Sequence, residues 1–190
     1  MELLKQKIID SAEVLPGGVL KVDSFLNHQI DVTFVSQLAE EWYRLFKEER
    51  ITKILTIESA GIGLASITAL LFKVPVVYAK KTRNAALGDE YLSTKVISYT
   101  HGQSYDVFLA KNLINKDDRI LILDDFLANG SALKVLIQLA EMGGAEVVGT
   151  TVAIEKSYLG GGDDIRALGY RLESLVKIKE LNDKEIAFED

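Results

Sequence analysis

Short hydrophobic runs that are rich in β-branched residues divide the middle of the chain. They occupy positions 53–58, 74–79, 119–124 and 146–154. Apolar runs of this length, in which hydrophobic and polar residues do not alternate, are typical of strands that are buried on both faces of a sheet. The pattern therefore predicts four buried strands.

Longer segments with helical character lie between these strands. Residues 62–72 form an apolar segment of helical length, and apolar positions recur every three or four residues in 131–142, at Leu133, Leu136, Ile137 and Ala140. Because strand, helix and strand alternate twice, the sequence predicts an α/β fold: an open, mostly parallel sheet flanked by helices. Ligands of such sheets bind at the carboxyl ends of the strands.

The segments around this core have different patterns. Residues 31–46 are predicted to form an amphipathic helix, and residues before about 50 and after Gly169 are expected to be additions around the core. Residues 80–112, with β-prone pieces around Thr100-His101-Gly102-Gln103, indicate a hairpin-like excursion that suits a mobile lid. The run Gly160-Gly161-Gly162 is interpreted as a flexible loop.

Composition narrows the possible chemistry. The 190 residues suit one domain, and 22 Lys+Arg against 28 Asp+Glu give a net charge of -6, the wrong sign for a protein that mainly binds nucleic acid or an anionic membrane. The absence of cysteine excludes disulfides, thiolate nucleophiles and cysteine-ligated metals, and His28 and His101 are too few for a multi-histidine metal centre. No apolar run approaches the roughly 20 residues of a membrane span, so a cytoplasmic protein is expected.

The stretch 120–132 carries the strongest chemical signal. Two adjacent carboxylates, Asp124 and Asp125, follow a buried strand, and a turn of small residues then opens a helix. Free backbone N–H groups from Ala128 to Ala132 are expected to point at one spot, which makes a cradle for phosphate. The carboxylates suit vicinal sugar hydroxyls or a hydrated Mg²⁺, so the ligand described is a ribose 5-phosphate. A solvent-exposed helix cap is the simpler alternative for the Asp-Asp pair alone.

This stretch resembles the signature of the type I phosphoribosyltransferases: four apolar residues, two acidic ones and a small-residue phosphate loop. Segments 20–29, 58–62 and 154–157 also look like the bacterial xanthine phosphoribosyltransferases. That resemblance implies transfer of a phosphoribosyl group from phosphoribosyl pyrophosphate to xanthine, giving xanthosine monophosphate and pyrophosphate, by a cytoplasmic homodimer that uses Mg²⁺. It also implies one domain with a core at about 50–158, a small hood from about 1–30 and 170–190, and a flexible lid at about 80–110.

The resemblance assigns roles to single residues around the sugar phosphate. Ribose is assigned to Asp124 and Asp125, which would also stabilise positive charge on the sugar ring as pyrophosphate leaves. The 5-phosphate is assigned to the loop residues Ala128, Asn129, Gly130, Ser131 and Ala132. Pyrophosphate is assigned to Ser59, Ala60, Gly61 and Lys81. Mg²⁺ is expected to arrive with phosphoribosyl pyrophosphate and to lie near the two aspartates. A solvated basic turn is the alternative for Lys80, Lys81 and Arg83.

Xanthine contacts are assigned in the same way to Leu20, Asn27 and Lys156. Lys156, at a strand end, is expected to donate to the 6-oxo group, and the Asn27 amide to the 2-oxo group that distinguishes xanthine from hypoxanthine. Without the resemblance, a surface lysine and a turn-forming asparagine are the simpler interpretation. Phe126 and Tyr158 are candidates for an aromatic wall beside the purine, or for core packing.

The general base is left open. Ala128 stands where some other 6-oxopurine transferases place an aspartate general base. Asp125, Glu155 or a substrate that is already deprotonated are the candidates.

Three other functions compete with xanthine transfer. One is a transferase for guanine, hypoxanthine, adenine or orotate. Another is a non-catalytic regulator that senses phosphoribosyl pyrophosphate, which the charge of -6 and the short segment before the core disfavour. The segment 61–66 also invites a dinucleotide-binding interpretation, but its third small position is serine and no acidic residue follows at the required strand end.

Overall fold

The computed structural model describes residues 1–83, 90–97, 104–182 and 185–189. Its helices are α1 (Glu2–Ser11), α2 (Val32–Phe46), α3 (Ala60–Phe72), α4 (Ser131–Met142) and α5 (Gly161–Ala167). Its strands are β1 (Glu13–Leu15), β2 (Val19–Lys21), β3 (Lys53–Ile57), β4 (Val76–Ala79), β5 (Tyr91–Ile97), β6 (Ser104–Ala110), β7 (Arg119–Leu127), β8 (Glu146–Lys156), β9 (Leu172–Asn182) and β10 (Glu185–Phe188). No helix in these ranges has the length and hydrophobicity needed to cross a membrane.

A mostly parallel sheet forms the centre of the protein. Within the described ranges its six strands lie in the order β10-β9-β8-β7-β3-β4, and only β10 runs antiparallel to its neighbour. Helix α3 connects β3 to β4, and α4 connects β7 to β8. The four strands and the helices predicted from the hydrophobic pattern are present, so the predicted fold class is confirmed.

Residues on successive positions of the central strands face different hydrophobic clusters. Ile54 and Leu121 pack with α2 and α3 on one face, whereas Leu55 and Ile120 pack with α4 on the other. Both faces are therefore covered, which explains why these strands read as continuous apolar runs. The β3 and β7 carboxyl ends lie side by side, because the two strands pair in parallel from Lys53 and Ile120 onwards.

The C-terminal segment differs from the boundary expected for the hood. Strand β9 pairs in parallel with β8 from Leu172 to Ile178, and Val176 and Ile178 are buried, so the sheet extends beyond residue 158. Lysine and glutamate residues interrupt β9 and hide it from a search for continuous apolar runs. The side chains of Leu181 and Phe188 pack in the same cluster as Leu4 and Ile8 of α1. Met1 N donates to Leu175 O and Lys5 Nζ donates to Glu189 O, so the two ends of the chain lie together.

The predicted excursion after β4 is a β-hairpin. Strands β5 and β6 pair antiparallel, from Tyr91 opposite Ala110 to Ile97 opposite Ser104. Lys80 and Phe108 exchange two backbone hydrogen bonds of 2.8 Å, which attach the hairpin to the chain that leaves β4. Thr100-His101-Gly102-Gln103 and positions 84–89 of the expected lid lie outside the described residues.

The interpretation of Gly160-Gly161-Gly162 as a flexible loop is wrong for its last two residues. Gly161 begins α5, and both Gly161 and Gly162 are buried. The run of glycines reflects close packing of backbone against neighbouring groups, because the position of a Cβ at Gly161 or Gly162 is already occupied. Glycine is required where other atoms approach a backbone this closely.

Candidate active site

A cavity of about 210 Å³ opens at the carboxyl ends of β3 and β7. It joins segments that the sequence places far apart. Its lining is formed by Ile57, Glu58, Ser59, Ala60, Lys81, Tyr105, Asp124, Asp125 and Ala132. Six of these residues, Ser59, Ala60, Lys81, Asp124, Asp125 and Ala132, are among the predicted site residues. The fold therefore brings the two carboxylates, the loop after β3, one lysine and the start of α4 to a single cavity.

Asp124 and Asp125 lie on β7, which continues to Leu127, three residues beyond the end predicted by the apolar run. Asp124 is 5% exposed, whereas Asp125 is partly exposed. The backbone N–H of Asp125 donates to Asp124 Oδ1 at 3.0 Å. Burial, and secondarily the charge of Asp125, raise the pKa of Asp124 well above its usual value. A hydrogen-bond acceptor with little access to water thus forms the floor of the cavity.

The loop after β3 approaches this floor closely. Gly61 is buried in the first turn of α3, and a Cβ there would overlap Thr56 Oγ1 and lie 3.1 Å from Asp124 Oδ1. Ser59 and Ala60 precede it at the cavity wall, and the Glu58–Ser59 peptide bond is cis. Gly61 therefore does not line the cavity as Ser59 and Ala60 do, but its missing side chain lets the loop lie directly over Asp124.

Glu58 also lines the cavity and was not among the predicted site residues. Its Oε1 accepts a 2.5 Å hydrogen bond from the backbone N–H of Lys81. This bond ties the chain that leaves β4 to the chain that leaves β3. Its signal in the sequence was a carboxylate directly after a buried strand, the same signal that identified Asp124 and Asp125.

The three basic residues after β4, Lys80, Lys81 and Arg83, have different surroundings. Lys81 lines the cavity, and its Nζ lies 6.0 Å from the centre of the Tyr105 ring. Lys80 pairs with the hairpin through its backbone, and the Arg83 guanidinium lies 4.6 Å from the centre of the Tyr91 ring. Lys81 is thus the member of this run that faces the two carboxylates.

Tyr105, on β6, brings the hairpin to the cavity and was also not predicted. Burial and the nearby charge of Asp124 raise the pKa of its phenol, so the hydroxyl stays protonated at neutral pH. The residue lies in a segment whose local sequence suggested only a strand. Its position became evident only from the docking of the hairpin beside β4.

The loop predicted to bind phosphate, Ala128 to Ala132, follows β7 and leads into α4, and it is called the phosphate loop below. Gly130 has φ of +77° and caps the helix, a conformation that favours glycine. Asn129 Oδ1 accepts from the backbone N–H of Ser131 at 3.1 Å and from Ser131 Oγ at 2.8 Å. The prediction that every N–H from Ala128 to Ala132 is free is therefore wrong for Ser131, because the asparagine side chain folds back on the turn.

The back of this loop rests on α5. A Cβ at Gly161 would overlap Ala128 O and Gly130 N, and it would lie 2.5 Å from Asn129 C. Conversely, a Cβ at Gly130 would lie 3.1 Å from Gly161 O. The two backbones are in direct contact with no side chain between them.

Glu155 is not available as a proton acceptor. It is 1% exposed, and both oxygens of its carboxylate are bound by Arg166, at 3.0 and 2.8 Å. Burial opposes the charge, but the hydrogen bonds from Arg166 and Ser174 outweigh it and lower the pKa of Glu155. The candidate base Glu155 is thus excluded by its ion pair, and Asp125, which lines the cavity, stays a candidate.

Lys156 and the hairpin that carries Leu20 meet at the carboxyl end of β8, which lies at the same edge of the sheet as the cavity because β7 and β8 run parallel. Lys156, the last residue of β8, donates from Nζ to Gly18 O at 3.1 Å, and burial lowers its pKa. Leu20 is 6% exposed on β2, the strand that follows Gly18. Asn27 ends a short π-helical segment, Asp23–Asn27, and is partly exposed. The structure thus brings Lys156 to the β1–β2 hairpin that carries Leu20, and shows no hydrogen bond from Asn27 to either within the described residues.

The two aromatic candidates near Lys156 differ. The Phe126 ring centre lies 6.0 Å from Lys156 Nζ, and this ring also packs against the hydrophobic core. Tyr158 is 43% exposed. Phe126 packs in the core and also lies close enough to Lys156 to form an aromatic wall beside the purine. Tyr158 is too exposed to be a core residue.

The described residues contain no group of three or more His, Cys, Asp or Glu side chains that could hold a metal ion. The carboxylates of Asp124 and Asp125 are oxygen donors of the type that Mg²⁺ prefers, but they are only two residues. Such a pair suits an ion that keeps most of its ligands from water and from a phosphorylated substrate.

Comparison with known sequences gives a consistent result. The profile of the phosphoribosyl transferase domain matches residues 21–181. A protein of Lachnoclostridium phytofermentans called xanthine phosphoribosyltransferase is 49% identical over 182 residues, which cover 96% of this chain and 94% of that protein. A protein of the same name from Finegoldia magna is 44% identical over 190 residues and is covered completely, as is this chain.

Solved structures share the fold at lower sequence identity. The adenine phosphoribosyltransferase of Rhodothermus marinus has a TM-score of 0.75 and 22% identity, and the similarity covers 93% of this chain and 99% of that chain. The APRTase of Giardia lamblia in complex with 9-deazaadenine has a TM-score of 0.77 and 21% identity, with 92% of this chain and 98% of that chain covered. These structures establish the likeness of the fold.

Proposed function

The chain belongs to the phosphoribosyltransferase family, and from this premise we propose that it transfers the 5-phosphoribosyl group of phosphoribosyl pyrophosphate to xanthine. The products are xanthosine 5'-monophosphate and pyrophosphate, a reaction of purine salvage. The observation that carries the proposal is the cavity where Asp124, Asp125, Lys81 and the loop after β3 meet the start of α4. The relatives that are 44% and 49% identical over nearly the whole chain support xanthine as the base.

The cavity divides the substrate between its walls. The phosphate loop, Ala128 to Ala132, holds the 5-phosphate at the start of α4, where the helix dipole favours negative charge. Ser59 and Ala60 receive pyrophosphate on the opposite wall, Gly61 behind them lets this loop lie close to Asp124, and Lys81 provides a positive charge at the same wall. Asp124 and Asp125 accept hydrogen bonds from the ribose hydroxyls between the two.

The reaction breaks the bond between ribose C1 and the pyrophosphate oxygen, and forms a bond between C1 and a purine nitrogen. The proton of that nitrogen passes to Asp125, or has left the base before it binds. Asp125 stabilises positive charge that develops on the sugar ring while this exchange takes place. Asp124 and Asp125 would hold a Mg²⁺ ion that is bound to phosphoribosyl pyrophosphate, and this ion would supply positive charge to the leaving pyrophosphate. Tyr105 and the hairpin reduce access of water to the cavity, which protects the reactive sugar from hydrolysis.

Lys156 and Asn27 recognise the base, with Leu20 packing beside it. Burial lowers the pKa of Lys156 without a compensating carboxylate, so a carbonyl oxygen is a favourable partner for its ammonium group. A site that provides donors for both oxo groups of xanthine disfavours hypoxanthine, because hypoxanthine leaves one donor unpaired.

We further propose that the enzyme acts as a homodimer in the cytoplasm. Helix α3 is apolar nearly throughout, yet Leu70 is 76% exposed and Leu71 is 38% exposed on it, which supports a protein partner for this face. Phosphorylated sugars carry several charges and do not cross a bilayer unaided, which supports the location. Sedimentation of the purified protein tests the dimer.

The activity test measures pyrophosphate release from phosphoribosyl pyrophosphate and Mg²⁺ with xanthine, guanine, hypoxanthine, adenine and orotate in parallel. Fastest turnover is expected with xanthine. Asp125→Asn is expected to lower kcat about 100-fold or more with every base, as loss of one stabilising group in other active sites does. Asp10→Asn, an exposed acid on α1, is the matched control. Turnover with a different base would reject xanthine, and an unchanged kcat of Asp125→Asn would reject its role.

A further inference from the structure

A buried ion pair lies behind the phosphate loop, and the proposed reaction gives it no direct role. Arg166 binds both oxygens of Glu155, and Ser174 Oγ donates to Glu155 Oε2 at 2.5 Å. Together these groups keep the carboxylate charged in a position that is 1% exposed. Burying a charged pair costs free energy unless every charged oxygen is hydrogen-bonded. A buried ion pair at this position is therefore worth explaining by what it contacts.

The first two residues of helix α5 lie between this ion pair and the phosphate loop. Arg166 and Gly162 are four residues apart, so they share one face of the helix. A Cβ at Gly162 would overlap Glu155 Oε1, and a Cβ at Gly161 would overlap Ala128 O and Gly130 N. The carboxylate is thus in contact with one glycine of α5, and the phosphate loop is in contact with the glycine before it.

A shift of α5 at Gly161 would move the phosphate loop with it. The backbone of Gly161 lies directly against the backbone of the loop, so no flexible side chain between them can absorb the movement. Lys134 and Asp164 link α4 to α5 by a further hydrogen bond of 2.7 Å, but this pair is at the surface and contributes little rigidity. The core packing of Ile165 and the contact with Glu155 therefore hold α5, and with it the back of the loop, and Glu155 is the polar part of this support.

We propose that the Glu155–Arg166 ion pair holds the phosphate loop in the geometry that binds the 5-phosphate of the substrate. Glu155 and Arg166 are positioning residues in this role, because they contact Gly162 and α5 and do not line the cavity. The inference rests on the proposed function, since it assumes that this loop receives a phosphate group.

The first experiment compares Arg166→Gln and Arg166→Lys with the wild type in calorimetric titration with ribose 5-phosphate. Arg166→Gln is expected to raise the Kd at least 10-fold, because Glu155 loses both hydrogen bonds from the guanidinium. Arg166→Lys keeps a charged donor and is expected to restore the Kd to within about 3-fold of wild type. In steady-state assays the KM for phosphoribosyl pyrophosphate is expected to rise with Arg166→Gln while kcat stays within about 2-fold.

A matched control removes the same chemistry elsewhere. Arg44 binds both oxygens of Glu41 at 2.8 Å on the exposed side of α2, so Arg44→Gln breaks a two-bond arginine–glutamate pair away from the loop. The Kd of Arg44→Gln for ribose 5-phosphate is expected to equal that of the wild type.

If Arg166→Gln does not fold, the double variant with Glu155→Met and Arg166→Met removes both charges together. It is expected to show the same 10-fold loss of affinity.

A second variant changes the contact between Gly161 and the phosphate loop itself. Gly161→Ala is expected to raise the Kd for ribose 5-phosphate by 10-fold or more, because the added Cβ displaces the loop. Gly169→Ala is the control, since that residue has φ of +90° but a Cβ there meets nothing within 4 Å. It carries backbone strain at the other end of α5 without touching the loop.

The outcomes separate this inference from the proposed function. A folded Arg166→Gln protein with a lower Tm but a wild-type Kd and KM would show that the ion pair serves stability alone, and would overturn the inference. Failure of the wild type itself to bind ribose 5-phosphate would instead reject the phosphate site on which the proposed function depends.

Discussion

At the scale of single residues, Asp124 has a charge that its surroundings oppose. The side chain is buried beside Asp125, and both effects raise its pKa. Asn at this position would keep the acceptor oxygen for the N–H of Asp125 and lose the charge. The residue is therefore one at which binding chemistry and stability of the free protein conflict.

Asp124→Asn is expected to raise the Tm at pH 8. The unfolded-state pKa of Asp is about 3.9 and the folded-state pKa is higher, so the native state loses stability as pH rises through the interval between them. The gain is expected to be on the order of 1 kcal/mol, or about 2–4 °C in Tm for a chain of this size. Thermal unfolding at pH 8 and near pH 4 tests this, because the gain should vanish at the lower pH. A gain of equal size at both values would show that the charge is not its cause.

Gly61 illustrates a steric requirement at the same scale. Gly61→Ala is expected to destabilise the fold by about 1–3 kcal/mol through overpacking against Thr56 Oγ1, and to raise the KM for phosphoribosyl pyrophosphate. Thr56 Oγ1 is buried and has no hydrogen-bond partner in the described part of the chain, so its removal leaves no group unpaired there. Adding Thr56→Ala to Gly61→Ala is therefore expected to recover stability in denaturant titrations. No recovery would locate the clash elsewhere.

At the scale of secondary-structure elements, helix α2 supports the side of the sheet that carries α3. Its buried face includes Trp42 and Phe46, and Asp31 caps its start by accepting from the backbone N–H of Phe34 at 3.1 Å. The predicted helix at 31–46 is confirmed, with Asp31 as the cap rather than the first helical residue. Asp31 also lies 3.7 Å from Lys7 in a surface ion pair.

Asp31→Ala is expected to lower the free energy of unfolding by about 1 kcal/mol, because the N–H of Phe34 loses its partner. Asp31→Asn separates the two roles of this side chain, since it retains a capping oxygen and loses the charge opposite Lys7. It is expected to cost only a few tenths of a kcal/mol, because exposed ion pairs contribute little. Urea titrations measure both variants, and equal losses would indicate that the ion pair dominates.

At the scale of the whole molecule, the site divides into two halves. The half that we propose for phosphoribosyl pyrophosphate lies at the strand ends of β3 and β7. The half that we propose for the base lies where the end of β8 meets the β1–β2 hairpin, through the hydrogen bond from Lys156 to Gly18 O. Leu181 and Phe188 pack against the hydrophobic cluster that contains Leu4 and Ile8, and Lys5 Nζ donates to Glu189 O at 3.0 Å, so the two ends of the chain lie together.

Lys156→Met is expected to separate these halves functionally. The KM for xanthine should rise 10-fold or more because the donor to the 6-oxo group is lost, while the Kd for ribose 5-phosphate should stay unchanged. Lys179→Met, an exposed lysine on β9, is the control. Kinetic assays with varied xanthine and titrations with ribose 5-phosphate provide the two readouts. A parallel loss of both affinities would contradict the division of the site.

The amino-acid sequence by itself determined the architecture and pointed to several of the residues that line the cavity. Continuous apolar runs identified the parallel strands, because burial on both faces removes alternation. The stretch 120–132 identified the strand end that carries the polar groups of the cavity. This was possible because the two carboxylates and the turn of small residues lie within a few adjacent positions. Boundaries were less accurate: β7 extends past the two aspartates, and β9 joins the sheet despite its polar residues.

Only the tertiary structure decided which distant groups meet. Tyr105 and Glu58 enter the cavity because a hairpin docks beside β4 and because Glu58 binds the backbone of Lys81. Glu155 was a candidate base in the sequence, and its pairing with Arg166 on another element removed that role. Gly161 and Gly162 suggested flexibility, yet they are packed against the phosphate loop and Glu155. A local pattern carries no information on such contacts, since each depends on the packing of segments that are far apart in the chain.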